Sequence, residues 1–179
     1  MIQDDIILRD WQPSDAAALA SNLNNPAVTR YLTEPIHHPY TQSHARVFIG
    51  MTNYGQHLLA KAIVADGKLA GGISVIPQEG VWQSTGEMKF FLGEAYQGRG
   101  IMPVAILKMI SHIFSHYNLN RIFCYTIEED NHSAHVLLKA GFRQEGSLRN
   151  AINKNGIVYN SRLFAILRED LCEPITNLT

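Results

Sequence analysis

Between Ile101 and Tyr117 the apolar residues Ile106, Met109, Ile110, Ile113, Phe114 and Tyr117 recur at intervals of three and four, the spacing of one helix face. Both neighbours of this stretch read as strands: Thr85 to Leu92 before it, and after it Arg121 to Ile127, which is rich in Ile, Phe, Tyr and Thr. A strand, a helix and a second strand in that order form a crossover, and the two strands it joins lie parallel. The stretch from Glu87 to Ile127 therefore demands one parallel pair inside whatever sheet the rest of the chain builds.

The remaining connections are short and predict antiparallel pairing. Ile6-Ile7-Leu8-Arg9 is a β-prone run, and Pro13-Ser14-Asp15 opens an Ala- and Leu-rich helix through Leu23. Asn24-Asn25-Pro26 breaks the chain before a second short helix over Ala27 to Leu32; Pro35 to Tyr40 is a loop. Thr41 then caps a helix with Ala45, Phe48, Ile49 and Met51 on one face. Leu58 to Val64 and Leu69 to Ile76 flank the turn Asp66-Gly67 as a β-hairpin. Ser133 to Ala140 is helical and Gly141 stops it; two last strands, Arg143 to Asn150 and Val158 to Leu167, flank Asn153-Lys154-Asn155-Gly156. No repeat or long linker divides the chain. The expectation is one mixed α/β (α+β) domain over residues 1–172 with a loose tail over 173–179. Its central sheet should be mostly antiparallel, with about six to seven strands flanked by helices.

Charge and cysteine usage narrow the function. Fifteen Lys plus Arg against sixteen Asp plus Glu leave a formal net charge of −1, so no field exists to gather a nucleic acid. The N-terminus starts with acids, no apolar signal region follows, and Ile101 to Ile110 is too short to cross a bilayer. The reading is a soluble cytoplasmic protein with no membrane partner. Cys124 and Cys172 lack the paired spacing of a redox or zinc site and read as buried, reduced thiols.

The segment Phe90-Phe91-Leu92-Gly93-Glu94-Ala95-Tyr96-Gln97-Gly98-Arg99-Gly100-Ile101-Met102-Pro103 runs strand, loop, helix. Glycines permit close backbone approach, and the first helical turn leaves amide N–H groups without partners, so such a loop can wrap a pyrophosphate; the plain alternative is a turn that needs glycine for shape. Arg99 adds a charge, and Pro103 suits a first turn. A P-loop is absent, because the only Gly-Lys pair, Gly67-Lys68, precedes Leu69 in a hairpin; a dinucleotide fingerprint fails at Pro103.

Gln97-Gly98-Arg99-Gly100-Ile101-Met102 resembles the signature Gln/Arg-x-x-Gly-x-Gly/Ala of the GNAT superfamily of acyl-CoA N-acyltransferases, departing at Met102. Gly86-Glu87-Met88 entering the strand, Ser133 eight residues ahead of Gly141-Phe142, and Glu145-Gly146 just after it look most like the RimJ/RimL-like branch, the ribosomal-protein N-terminal acetyltransferase type. The resemblance covers about residues 6 to 170. It implies an acetyl-CoA-dependent N-acetyltransferase in which an amine attacks the thioester directly. Acetyl-CoA would be the co-substrate, bound by Gln97, Gly98, Arg99, Gly100, Ile101 and Met102, by the strand backbone around Phe91 and Leu92, and by Asn131. Glu87 would take the amine proton. Many members carry a tyrosine as general acid four residues before Gly-Phe, where this chain has Leu137; Ser133 is then the group implied to contact the CoA sulfur, its local reading being a helix N-cap. No metal is implied. His112 and His116 stand four apart but lack the glutamate of a zinc helix and read as a solvated face, and Glu128-Glu129-Asp130 as a solvated acidic turn. The acceptor is a primary amine: a protein N-terminus, a polyamine or a small molecule. A homodimer through the late strands also follows by resemblance. The rival reading is a non-catalytic acyl-CoA-binding or sensing domain.

Overall fold

The computed structural model describes residues 6–54 and 58–171. The chain runs β1 (Ile7–Arg9), α1 (Ala16–Leu23), α2 (Pro26–Thr29), α3 (Gln42–Tyr54), β2 (Leu59–Ala65), β3 (Lys68–Pro77), β4 (Thr85–Leu92), α4 (Ile101–His116), β5 (Arg121–Ile127), α5 (Asn131–Lys139), β6 (Arg143–Lys154) and β7 (Ile157–Leu167). The strands form one seven-stranded sheet in the order β1-β2-β3-β4-β5-β7-β6. Every neighbouring pair is antiparallel except β4 and β5, the pair joined through α4. Two hairpins close on two-residue turns, Asp66-Gly67 with φ of 52° and 70° and Asn155-Gly156 with 54° and 81°. Left-handed dihedrals at both positions match the twist of the flanking strands, which is why Asp-Gly and Asn-Gly stand there.

Each face of the sheet carries its own core. On one side Ile106, Met109, Ile110 and Ile113 of α4 and Leu137 of α5 are wholly buried against Ile73, Met88, Ile122 and Phe164 of the strands. On the other, Leu19 and Leu23 of α1 and Ala45 and Ile49 of α3 close over Trp11, Ala60 and Ala62. Trp11 is thus a packing residue, edge-on to Phe48 at 5.5 Å, while Trp82 is 67% exposed.

The structure corrects several boundaries. The second helix ends at Thr29 rather than Leu32, because Lys154 Nζ donates to the carbonyl oxygens of Thr29 and Leu32 and draws that chain out of the helix. Met51 is 62% exposed; six residues beyond Ala45, it falls off the face that Phe48 and Ile49 share. α5 starts two residues early, and β6 continues to Lys154 through an irregularity between Leu148 and Ile152. The tail over 173–179 and Cys172 lie outside the described residues.

The entry into α1 hinges on Asp15, only 6% exposed, whose carboxylate accepts two hydrogen bonds from Arg9, at 2.7 and 2.8 Å, and one from the Gln12 amide at 2.9 Å. Burial pushes its pKa up, but the Arg9 hydrogen bond, the Gln12 N–H and the Arg9 charge together outweigh it, so the carboxyl sits below its usual range. A depressed carboxyl stabilises the fold above its unfolded value near 4, and that contribution is lost as pH falls through the folded value. Asp15→Asn is therefore expected to cost about 1–3 kcal/mol at pH 7. Urea unfolding at pH 7 and at pH 3 should show the gap from the parent chain narrowing in acid.

Candidate functional site

β4 and β5 pair over only three positions, Thr85, Gly86 and Glu87 against Arg121, Ile122 and Phe123. Beyond Glu87 the two strands part, and a cavity of about 710 Å³ opens between them. One bank is β4 from Met88 to Leu92, and the other is β5 from Cys124 to Thr126. Ala27 to Glu34, the Gln97–Pro103 loop and the exposed side of α5 complete the lining.

Alternation along the β3–β4 ladder decides which backbone groups face the gap. Gln78 N–H donates to the Thr85 carbonyl and Gly93 N–H to the Ala70 carbonyl, so Thr85, Glu87, Lys89, Phe91 and Gly93 bond toward β3. Phe90 and Leu92 consequently turn their amides into the gap. Phe91 lines the cavity with its side chain only, since its backbone is paired with Gly72. The backbone groups expected around Phe91 and Leu92 are those of Phe90 and Leu92. The Leu92 carbonyl already accepts a hydrogen bond from Gln97 Nε2 at 3.1 Å, which ties the glycine loop to the strand end.

In that loop Gly98 and Gly100 have φ of 71° and 73°, and a Cβ at either would meet no protein atom within 4 Å. Backbone conformation, not crowding, requires glycine here. Gly100 is the N-cap of α4 and supplies no side-chain cap, so the amides of Ile101 and Met102 keep the positive end of the helix open. The Ile101 and Met102 side chains are 2% and 4% exposed and pack into the core. A methionine at the signature's last position is thus accommodated beneath the loop, and what these residues offer a ligand is their N–H groups.

Arg99 has a partner of its own. It is outside the cavity wall, its guanidinium bound to Asp66 at 2.7 Å and set over the Tyr96 ring. Its charge is spent on the β2–β3 turn. The cationic side chain near the loop comes instead from α5, where Lys139 lines the cavity together with the imidazoles of His132 and His135. Nothing in their sequence spacing marked them, because what gathers them is the wall that α5 forms.

Glu87 also stands beside the cavity rather than in its wall. Its carboxylate binds Lys89 Nζ at 2.6 Å, and Lys89, which does line the cavity, binds Glu34 at 2.8 Å and the Thr33 hydroxyl at 3.0 Å. Two carboxylates thus share one ammonium. Lys89 is raised above its usual range: burial alone would lower it, and the charges and hydrogen bonds of Glu34 and Glu87 prevail. Glu34 and Lys89 were not legible as site residues, for the loop carrying Glu34 is brought to β4 only by tertiary packing.

Ser133 and Asn131 both line the cavity. Ser133 is not the cap of α5. Asp130, 7% exposed, is: its carboxylate accepts the Ser133 amide at 3.0 Å, so Asp130 belongs to the fold rather than to a solvated turn. Asn131 Oδ1 accepts a hydrogen bond from Arg162 at 3.1 Å. Leu137 is fully buried and is a core residue. His112 and His116 stack at 4.6 Å on α4, and burial with the neighbouring charges of His116 and Lys61 holds His112 below its usual range. Among the described residues no three His, Cys, Asp or Glu side chains cluster as a metal site would, and no helix is long and apolar enough to cross a membrane.

An internal gap between splayed parallel strands, with a glycine loop and an open helix N-terminus at one end, is the arrangement of an acyl-CoA N-acyltransferase. The acetyltransferase (GNAT) domain family matches residues 5–143, and the chain belongs to that family as an N-acetyltransferase. It is 30% identical to the uncharacterized N-acetyltransferase p20 of Bacillus licheniformis over 92% of this chain and 94% of that protein. RimJ of Mycobacterium smegmatis, solved with CoA-disulfide, superposes with a TM-score of 0.82 at 22% identity over 94% of this chain and 84% of that one. The spermidine N-acetyltransferase of Vibrio cholerae, solved with CoA and spermine, gives 0.82 at 19% identity over 95% and 99%. At those identities the two structures share the fold.

Proposed function

We propose that the chain is a cytoplasmic, acetyl-CoA-dependent N-acetyltransferase that passes the acetyl group to a primary amine by direct attack. The observation that carries this reading is the convergence on one cavity of the glycine loop, the helix N-terminus and the turned-in amides of Phe90 and Leu92. The open space at Gly98 and Gly100 fits a diphosphate, which the amides of Ile101 and Met102 would hold with His132, His135 and Lys139 nearby. When bound, acetyl-CoA supplies an activated acyl carbon. The Phe90 and Leu92 amides would hold its pantetheine arm as an added strand and steady the carbonyl oxygen. Asn131 and Ser133 line the α5 side of the same path.

Around Lys89, Glu34 and Glu87 set two negative charges against one positive, an arrangement that draws a cationic amine and can receive its proton. The resemblance to the ribosomal-protein type and the fold shared with a spermidine N-acetyltransferase make a protein N-terminus and a polyamine the acceptors to try first. The test is release of free CoA thiol from acetyl-CoA across a panel of peptide N-termini and small amines. Acceptor-dependent thiol release is expected. Tight binding of CoA without release on any amine would instead make the chain a binding domain.

A further inference from the structure

The β5 bank of the cavity carries a hydroxyl that the fold does not use. Thr126 Oγ1 is buried without a hydrogen-bond partner, in a residue 4% exposed that lines the cavity. Its own carbonyl is occupied, accepting the Ser161 hydroxyl at 3.1 Å. Leaving such a hydroxyl unpaired costs about 1–3 kcal/mol, a cost valine would avoid in the same shape and with equal suitability for a strand. Its position suggests what it serves. Thr126 lies three residues past the last β4–β5 pair, so it faces the gap from across β4, where the Phe90 and Leu92 amides converge. By strand alternation it shares the face of Ile122 and Cys124, the face that α4 and α5 cover and on which Ser133 also opens into the cavity. The neighbouring Cys124 is no rival: burial pushes its thiol up to about 12, and its Sγ–H is directed at the Tyr125 carbonyl.

We propose that Thr126 donates a hydrogen bond from its hydroxyl to the sulfur of the bound thioester and stabilises the thiolate as it departs. This rests on the acetyltransferase reading above. In the step, the amine nitrogen bonds to the acyl carbon and the C–S bond breaks, its electron pair passing to sulfur. The arriving ammonium first gives one proton to the Glu34–Glu87 pair and on to solvent, the nitrogen gives up its second proton by the same route after attack, and the released thiolate takes a proton from solvent while Thr126 keeps its own throughout. The Ser133 hydroxyl, on the half-exposed first turn of α5, is the more solvent-facing of the two candidates.

The test compares CoA with desulfo-CoA, which lacks the sulfur, by calorimetry on the parent chain, Thr126→Val and Thr126→Ser, alongside steady-state acetyl transfer. The parent should bind CoA more tightly than desulfo-CoA by about three- to tenfold, the worth of one hydrogen bond. That preference should vanish in Thr126→Val and return in Thr126→Ser. Thr126→Val should also lower kcat about tenfold while its ligand-free melting temperature holds or rises. If valine prevents folding, Thr126→Ala gives the same comparison. An unchanged preference and kcat in the valine chain, or no preference in the parent, overturns the sulfur contact. A parent chain that binds neither compound overturns the acetyltransferase reading itself, an outcome distinct from both.

Discussion

Gly100→Ala is expected to weaken acetyl-CoA binding by about tenfold or more, while the fold loses only about 1–2 kcal/mol from the left-handed backbone. The two effects separate because the added Cβ would touch no protein atom, so folding meets only the strain of a φ of 73°. In the proposed cofactor site the methyl would enter the space through which a diphosphate reaches the Ile101 and Met102 amides. Gly80→Ala is the matching control, since it has a φ of 62°, equally open surroundings and a place in the loop before β4, away from the cavity. Calorimetry with acetyl-CoA and thermal unfolding of both variants make the comparison. Equal binding by the two would remove the glycine loop from the cofactor site.

The second large effect concerns the carboxylates around Lys89. Glu34→Gln and Glu87→Gln should each lower kcat by about 100-fold, the low end of what losing a general base costs, with little change in acetyl-CoA affinity. Because both bind one ammonium, at 2.8 and 2.6 Å, removing either redistributes the charge seen by the other. The double variant should therefore fall short of the product of the two single losses. If both single variants turn over at the parental rate with the best amine of the panel, proton removal takes place elsewhere.

How far the sequence reached is clearest at the crossover. Helical spacing between Ile101 and Tyr117, set between two β-prone runs, sufficed to require the one parallel pair, and Asp66-Gly67 and Asn155-Gly156 announced their hairpins through turn chemistry. What one-dimensional spacing does not encode is where β4 and β5 stop pairing, since both strands continue unbroken past that point. The cavity arises there. Residues that face it from elsewhere, Glu34 from the loop after α2, His135 from α5 and Thr126 from β5, carry no local mark because each is an ordinary loop, helix or strand residue by composition. Arg99 shows the converse: its place in the signature pointed to the ligand, yet an aspartate 33 residues away at the hairpin turn holds its side chain.

Lys154 binds the Thr29 and Leu32 carbonyls across separations of 125 and 122 residues, joining the tip of the last hairpin to a segment of the cavity lining. A clasp between such distant points closes late in folding, because loop entropy delays contacts between remote segments. The segment from Thr29 to Leu32 therefore takes up its fastened position only once β6 and β7 have joined the sheet, which ties the shape of that side of the cavity to the last hairpin.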